Sequence, residues 1–76
     1  MSKVEFINTT DPKGITLKVT YTGRNYLVEV FKDKSYYKQD VPCSFTPTFG
    51  MDILDQNECL KIAEELSIKV EQELGI

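Results

Sequence analysis

The run Ile15-Thr16-Leu17-Lys18-Val19-Thr20-Tyr21-Thr22-Gly23-Arg24-Asn25-Tyr26-Leu27-Val28-Glu29-Val30-Phe31-Lys32 decides the fold. In its first part Ile15, Leu17, Val19 and Tyr21 alternate with Thr16, Lys18 and Thr20, the period of two that gives a strand one apolar and one wet face. The second part is ambiguous alone, because Tyr26, Val28 and Val30 compete with Leu27 and Phe31 for the inner side. Pairing removes the ambiguity. Whether Gly23-Arg24 forms a two-residue turn with glycine first or Thr22 to Asn25 forms a longer loop, an antiparallel hairpin sets Tyr21 against Tyr26, Val19 against Val28 and Leu17 against Val30. Opposed residues share a face, so the inner set is Leu17, Val19, Tyr21, Tyr26, Val28 and Val30, with Lys18 across from Glu29 on the outer side. A one-residue slip would move that whole apolar set to the wrong face.

Working outward, a turn near Asp33-Lys34 leads to a strand from Tyr36 to Val41. The register that sets Phe31 against Tyr36 also puts Glu29 beside Lys38. A Lys18, Glu29, Lys38 row then crosses three strands, each neighbouring pair contributing roughly 0.2 to 1 kcal/mol at most. Gln39 falls opposite Val28 on the inner face, which is expected only near a sheet edge or a bulge. Upstream, residues 8–14 carry turn chemistry centred on Asp11-Pro12-Lys13-Gly14. Before them Val4 and Phe6 alternate with Lys3, Glu5 and Ile7, a shorter strand suited to an edge. The expected strands lie within 3–7, 15–21, 26–32 and 36–41.

Downstream the period changes. Cys59, Ile62, Ala63, Leu66, Val70 and Leu74 recur at helical spacing and define one apolar stripe. Asp55-Gln56-Asn57-Glu58 has the spacing of a capping box, so the helix is expected over about 56–74, with Leu54 as a hydrophobic staple and Gly75 as the stop. Lys61, Glu65, Lys69 and Glu73, spaced four apart on the wet side, are expected to pair as helix support. Between sheet and helix, residues 42–54 contain two prolines and a glycine, yet also Phe45, Phe49, Met51, Ile53 and Leu54. Such a segment is expected to be an ordered apolar loop that either plugs one end of the core or meets a partner.

The totals bound the function. A chain of 76 residues with 41% apolar content builds one core and one domain, 1–76. Its formal charge of −3 argues against a duplex DNA footprint. Residues 1–41 carry seven bases and five acids, and residues 42–76 two bases and seven acids, so the strand half is the more basic. The N-terminal Met1-Ser2-Lys3-Val4-Glu5-Phe6 is charged where a secretory peptide needs its apolar region, and no apolar run reaches spanning length. Cys43 and Cys59 are therefore expected as reduced thiols in a cytoplasmic protein that has no membrane association.

No histidine is present, which removes the commonest general base and metal ligand. Cys43 lacks any imidazole to activate it, and Cys59 sits on the apolar stripe, where a thiol acts as a small hydrophobe. Asp52, Asp55 and Glu58 recur every three residues, but a calcium loop needs alternating ligands and a glycine at its sharp turn, so helix capping explains them better. No catalytic, cofactor-binding or metal-binding residue is assigned, and no cofactor is expected.

The pattern reads as an α+β domain, a three- or four-stranded antiparallel β-meander with one C-terminal amphipathic helix packed on one face. One helix covers one face, leaving Leu27, Phe31 and Tyr36 on the other. With Phe45, Phe49 and Met51 of the loop they are the candidate partner contacts. The expected role is a small non-enzymatic protein-interaction module, with homodimerisation its simplest form. The alternative is weak single-stranded nucleic-acid binding, with bases stacking between Phe31 and Tyr36 near Lys18 and Lys38; Glu5 and Glu29 interrupt that face, so nucleic acid is not the expected partner.

Overall fold

The computed structural model describes residues 4–44 and 50–76. Four strands, β1 (Val4–Thr10), β2 (Thr16–Tyr21), β3 (Asn25–Lys32) and β4 (Ser35–Pro42), precede one helix, α1 (Ile53–Leu74). The strands form an open antiparallel sheet in the order β1-β2-β3-β4, and α1 packs over β3 and β4. The architecture is the α+β meander that the sequence pattern implies.

The central hairpin has the expected register: Val19 pairs with Val28, Lys18 with Glu29 and Tyr21 with Tyr26. Its turn closes through the Thr22 amide, which donates to the Asn25 carbonyl at 2.9 Å. Gly23 takes φ +100°, the conformation that a two-residue turn with glycine first requires. The next hairpin pairs Phe31 with Tyr36, Glu29 with Lys38 and Val28 with Gln39. Gln39 is exposed on β4, an edge strand, as an amide on the inner face must be to keep its water.

β1 differs from expectation. The strand expected within 3–7 runs on to Thr10, because Thr9 and Thr10 pair with Leu17 and Thr16 and the two threonine hydroxyls meet at 3.0 Å. Its register shifts between Glu5 and Ile7, a bulge that lets the successive residues Phe6 and Ile7 both pack against the core. The connection to β2 shrinks to Pro12-Lys13-Gly14. The Asp11 carboxylate accepts the amides of Lys13 and Ile15, each at 2.9 Å, and Gly14 takes φ +87°. Those are the marks of a three-residue hairpin loop with a glycine bulge.

The core is Ile15, Val19, Tyr26, Val28, Val30 and Val41 from the sheet against Cys59, Ala63, Leu66 and Val70 from the helix. Leu17, Tyr21, Ile62 and Leu74, expected on the inner side, pack half-buried around it. The helix ends as expected, with Gly75 at φ 72° and the amides of both Gly75 and Ile76 donating to the Glu71 carbonyl.

The helix start is corrected by one turn. Asp52, not Asp55, is the N-cap, its carboxylate accepting the Leu54 amide at 3.0 Å. Asp55 is buried within the first turn and accepts the Ser44 amide at 3.1 Å, so it ties the end of β4 to the helix instead of capping it. Leu54 consequently lies inside the helix and is 66% exposed; it is not a staple. The expected ion pairs along the wet side are not formed either. Lys69 sits 6.0 Å from the Tyr37 ring centre, and Glu73 accepts from the Ser35 hydroxyl. A long side chain above a neighbouring strand finds better-held partners there than on its own helix. Lys13 and Glu71, 3.1 Å apart, join the β1–β2 turn to the helix end.

Candidate interaction face

Alternation fixes which side chains reach the outer sheet face. Leu27, Glu29 and Phe31 project there from β3 because Tyr26, Val28 and Val30, their neighbours, are committed to the core. Tyr36 and Lys38 follow from their pairing with Phe31 and Glu29, and Lys18 from its pairing with Glu29. Among the described residues no element covers this face.

Phe31 and Tyr36 are stacked, with ring centroids 5.8 Å apart and planes inclined by 26°. The Tyr36 hydroxyl donates to the Glu29 carboxylate, and that bond pushes its pKa up to about 12. Half of Tyr36 remains exposed to water. Lys18 turns to Glu5, 3.4 Å away, and not to Glu29, its cross-strand neighbour. Both ends of that pair are substantially exposed, so its contribution is at most about 1 kcal/mol. Beside the aromatic pair lies a depression of about 370 Å³ lined by Glu5, Lys18, Thr20, Thr22, Leu27 and Glu29. The face thus combines two stacked rings and a leucine with paired charges of both signs.

Of the six candidate contacts, Leu27, Phe31 and Tyr36 come together here. Met51 does not join them: it is half-buried and packs against the core, on the far side of the sheet. Phe45 and Phe49 lie outside the described residues, as does the expectation of order for the middle of their loop.

A second group of polar side chains sits where β4 meets the start of α1. Tyr26 is fully buried, and its hydroxyl neighbours the Cys43 thiol without meeting hydrogen-bond geometry there or elsewhere among the described residues. Burial, reinforced by the Asp55 carboxylate, pushes the Cys59 thiol up to about 11, and burial also raises Cys43. Thiols in this setting stay protonated near neutral pH and are poor nucleophiles. Sequence reasoning foresaw the burial of Cys59 but not this convergence, which depends on the Ser44 amide meeting Asp55 across the loop; no local pattern signals it.

Among the described residues no group of cysteine and acidic side chains is placed to hold a metal ion, and no helix is long and apolar enough to cross a membrane. In comparisons with protein-family models, with curated proteins and with solved structures, nothing matched this chain.

Proposed function

We propose that this protein is a non-enzymatic protein-interaction module that presents its outer sheet face to a protein partner. The observation that carries the reading is the shared placement of Leu27, Phe31 and the half-exposed Tyr36 on a face that α1 leaves uncovered. Aromatic side chains already held against one another lose little freedom on binding, which favours them as contact anchors. The surrounding charges, Lys18 with Glu5 and Glu29 beneath Tyr36, are internally balanced and offer a polar rim. That balance also weakens the nucleic-acid alternative, because a phosphate backbone seeks unpaired cations. A cytoplasmic setting, in which Cys43 and Cys59 are reduced thiols, belongs to the same proposal.

The test uses the immobilised chain and extract from its native source. A protein retained by the wild type should be lost from the Leu27→Ser/Phe31→Ser variant, provided the variant's circular dichroism is unchanged. A partner held equally by both forms contradicts the reading. Salt-dependent retention of a single-stranded oligonucleotide would replace it with the alternative.

A further inference from the structure

The two edges of the sheet are not alike. β1 is interrupted by a bulge at Glu5 and Ile7, a device that discourages further pairing. β4 runs from Ser35 to Pro42 in unbroken register with β3, and among the described residues no strand pairs with its other side. Lys32 and Ser35 flank the two-residue turn Asp33-Lys34 and so form a hydrogen-bonded pair. Antiparallel pairs alternate, so the backbone groups of Tyr36, Lys38 and Asp40 point to the free edge. These three residues, Gln39 between them and Pro42 are all exposed.

We infer that β4 pairs antiparallel with β4 of a second copy, with Gln39 on the two-fold axis. One register makes this edge self-complementary. With Gln39 opposite Gln39 of the second copy, Lys38 faces Asp40 twice, once in each direction, and Tyr36 faces Pro42 twice. The free amides of Tyr36, Lys38 and Asp40 then each find a carbonyl, and Pro42, lacking an amide hydrogen, leaves only the Tyr36 carbonyl opposite it to water. The two neighbouring registers that keep faces aligned would oppose Lys38 to Lys38 or Asp40 to Asp40, a like-charge contact in either case. The two helices benefit as well. Each lies over β3 and β4, and strands about 4.8 Å apart bring the helix axes to roughly 10 Å, a normal packing separation. The product is an eight-stranded sheet whose two outer faces become one continuous surface. The pairing does not depend on that surface having a ligand, so Leu27→Ser/Phe31→Ser should leave dimerisation intact.

Sedimentation equilibrium of the full chain tests the inference. The wild type should self-associate to a dimer. Lys38→Asp and Asp40→Lys should each weaken the dimer about tenfold or more, and the combined Lys38→Asp/Asp40→Lys chain should return to within about threefold of wild type. Gln39→Cys should form an intermolecular disulfide under mild oxidation, since non-hydrogen-bonded partners on the axis have Cα atoms about 4.5 Å apart, while wild type and Lys38→Cys should not. A wild type that remains monomeric at about 1 mM overturns the inference, that concentration corresponding to the weakest association worth naming. So does a dimer indifferent to both single reversals, or one that the double reversal fails to restore.

Discussion

Asp55 and Tyr26 carry opposite polar accounts at the same end of the core. The buried Asp55 carboxylate receives the Ser44 amide, so Asp55→Ala should remove an acceptor and leave that amide unpaired, costing about 1 to 3 kcal/mol in urea unfolding. The Tyr26 hydroxyl is buried without a partner among the described residues, and Tyr26→Phe should therefore hold or raise the unfolding midpoint. A loss above about 1 kcal/mol would show that the hydroxyl is bonded after all. Cys59 adds a pH dependence. Its thiol is harder to ionise when folded, about 11 against an ordinary 9.0, so its contribution is complete below pH 9 and is lost as pH rises toward 11. Wild-type stability should fall more steeply across that window than that of Cys59→Ala. The burial of Cys59 was legible because it lies on a periodic stripe. The role of Asp55 was not, because its partner is a backbone amide eleven residues away, across an irregular segment.

Elements held by short turns were the most legible. A turn of two residues ties register to side-chain alternation, which is why Val19 could be set against Val28, and Phe31 against Tyr36, from sequence alone. β1 escaped this logic because its bulge breaks the period, and the adjacent apolar pair Phe6-Ile7 was the one available sign of it. The helix start was displaced because Asp52 and Asp55 both carry cap chemistry, and only the tertiary bond from Ser44 separates them. Asp52→Ala should cost roughly 0.5 to 2 kcal/mol, as loss of an N-cap does, and helix-start amides should exchange faster. On the buried stripe, Leu66→Ala should cost about 2 to 5 kcal/mol, whereas Glu64→Ala on the exposed side should cost under about 0.5 kcal/mol. Equal urea midpoints for those two variants would mean that α1 does not dock on the sheet.

At the scale of the whole molecule, one face of the sheet builds the fold and, among the described residues, the other is left uncovered. That division follows from composition: a single apolar helix stripe can pack on one face of the sheet and no more, here over β3 and β4. The candidate face was legible for Leu27, Phe31 and Tyr36, which alternation assigns once the hairpin pairing is set. It was not legible for Met51, whose segment has no period to read and which packs on the core. Val30 and Phe31 are adjacent in β3 and point to opposite faces, so they measure the division directly. Val30→Ala and Phe31→Ala should be compared by urea unfolding at one pH. The smaller side chain should cost more: about 2 kcal/mol or above for Val30, which is fully buried in the core, against about 1 kcal/mol for Phe31, which is partly buried outside the core and stacks on Tyr36. A Phe31→Ala loss equal to or greater than that of Val30→Ala would contradict the account, because the outer face would then belong to the core.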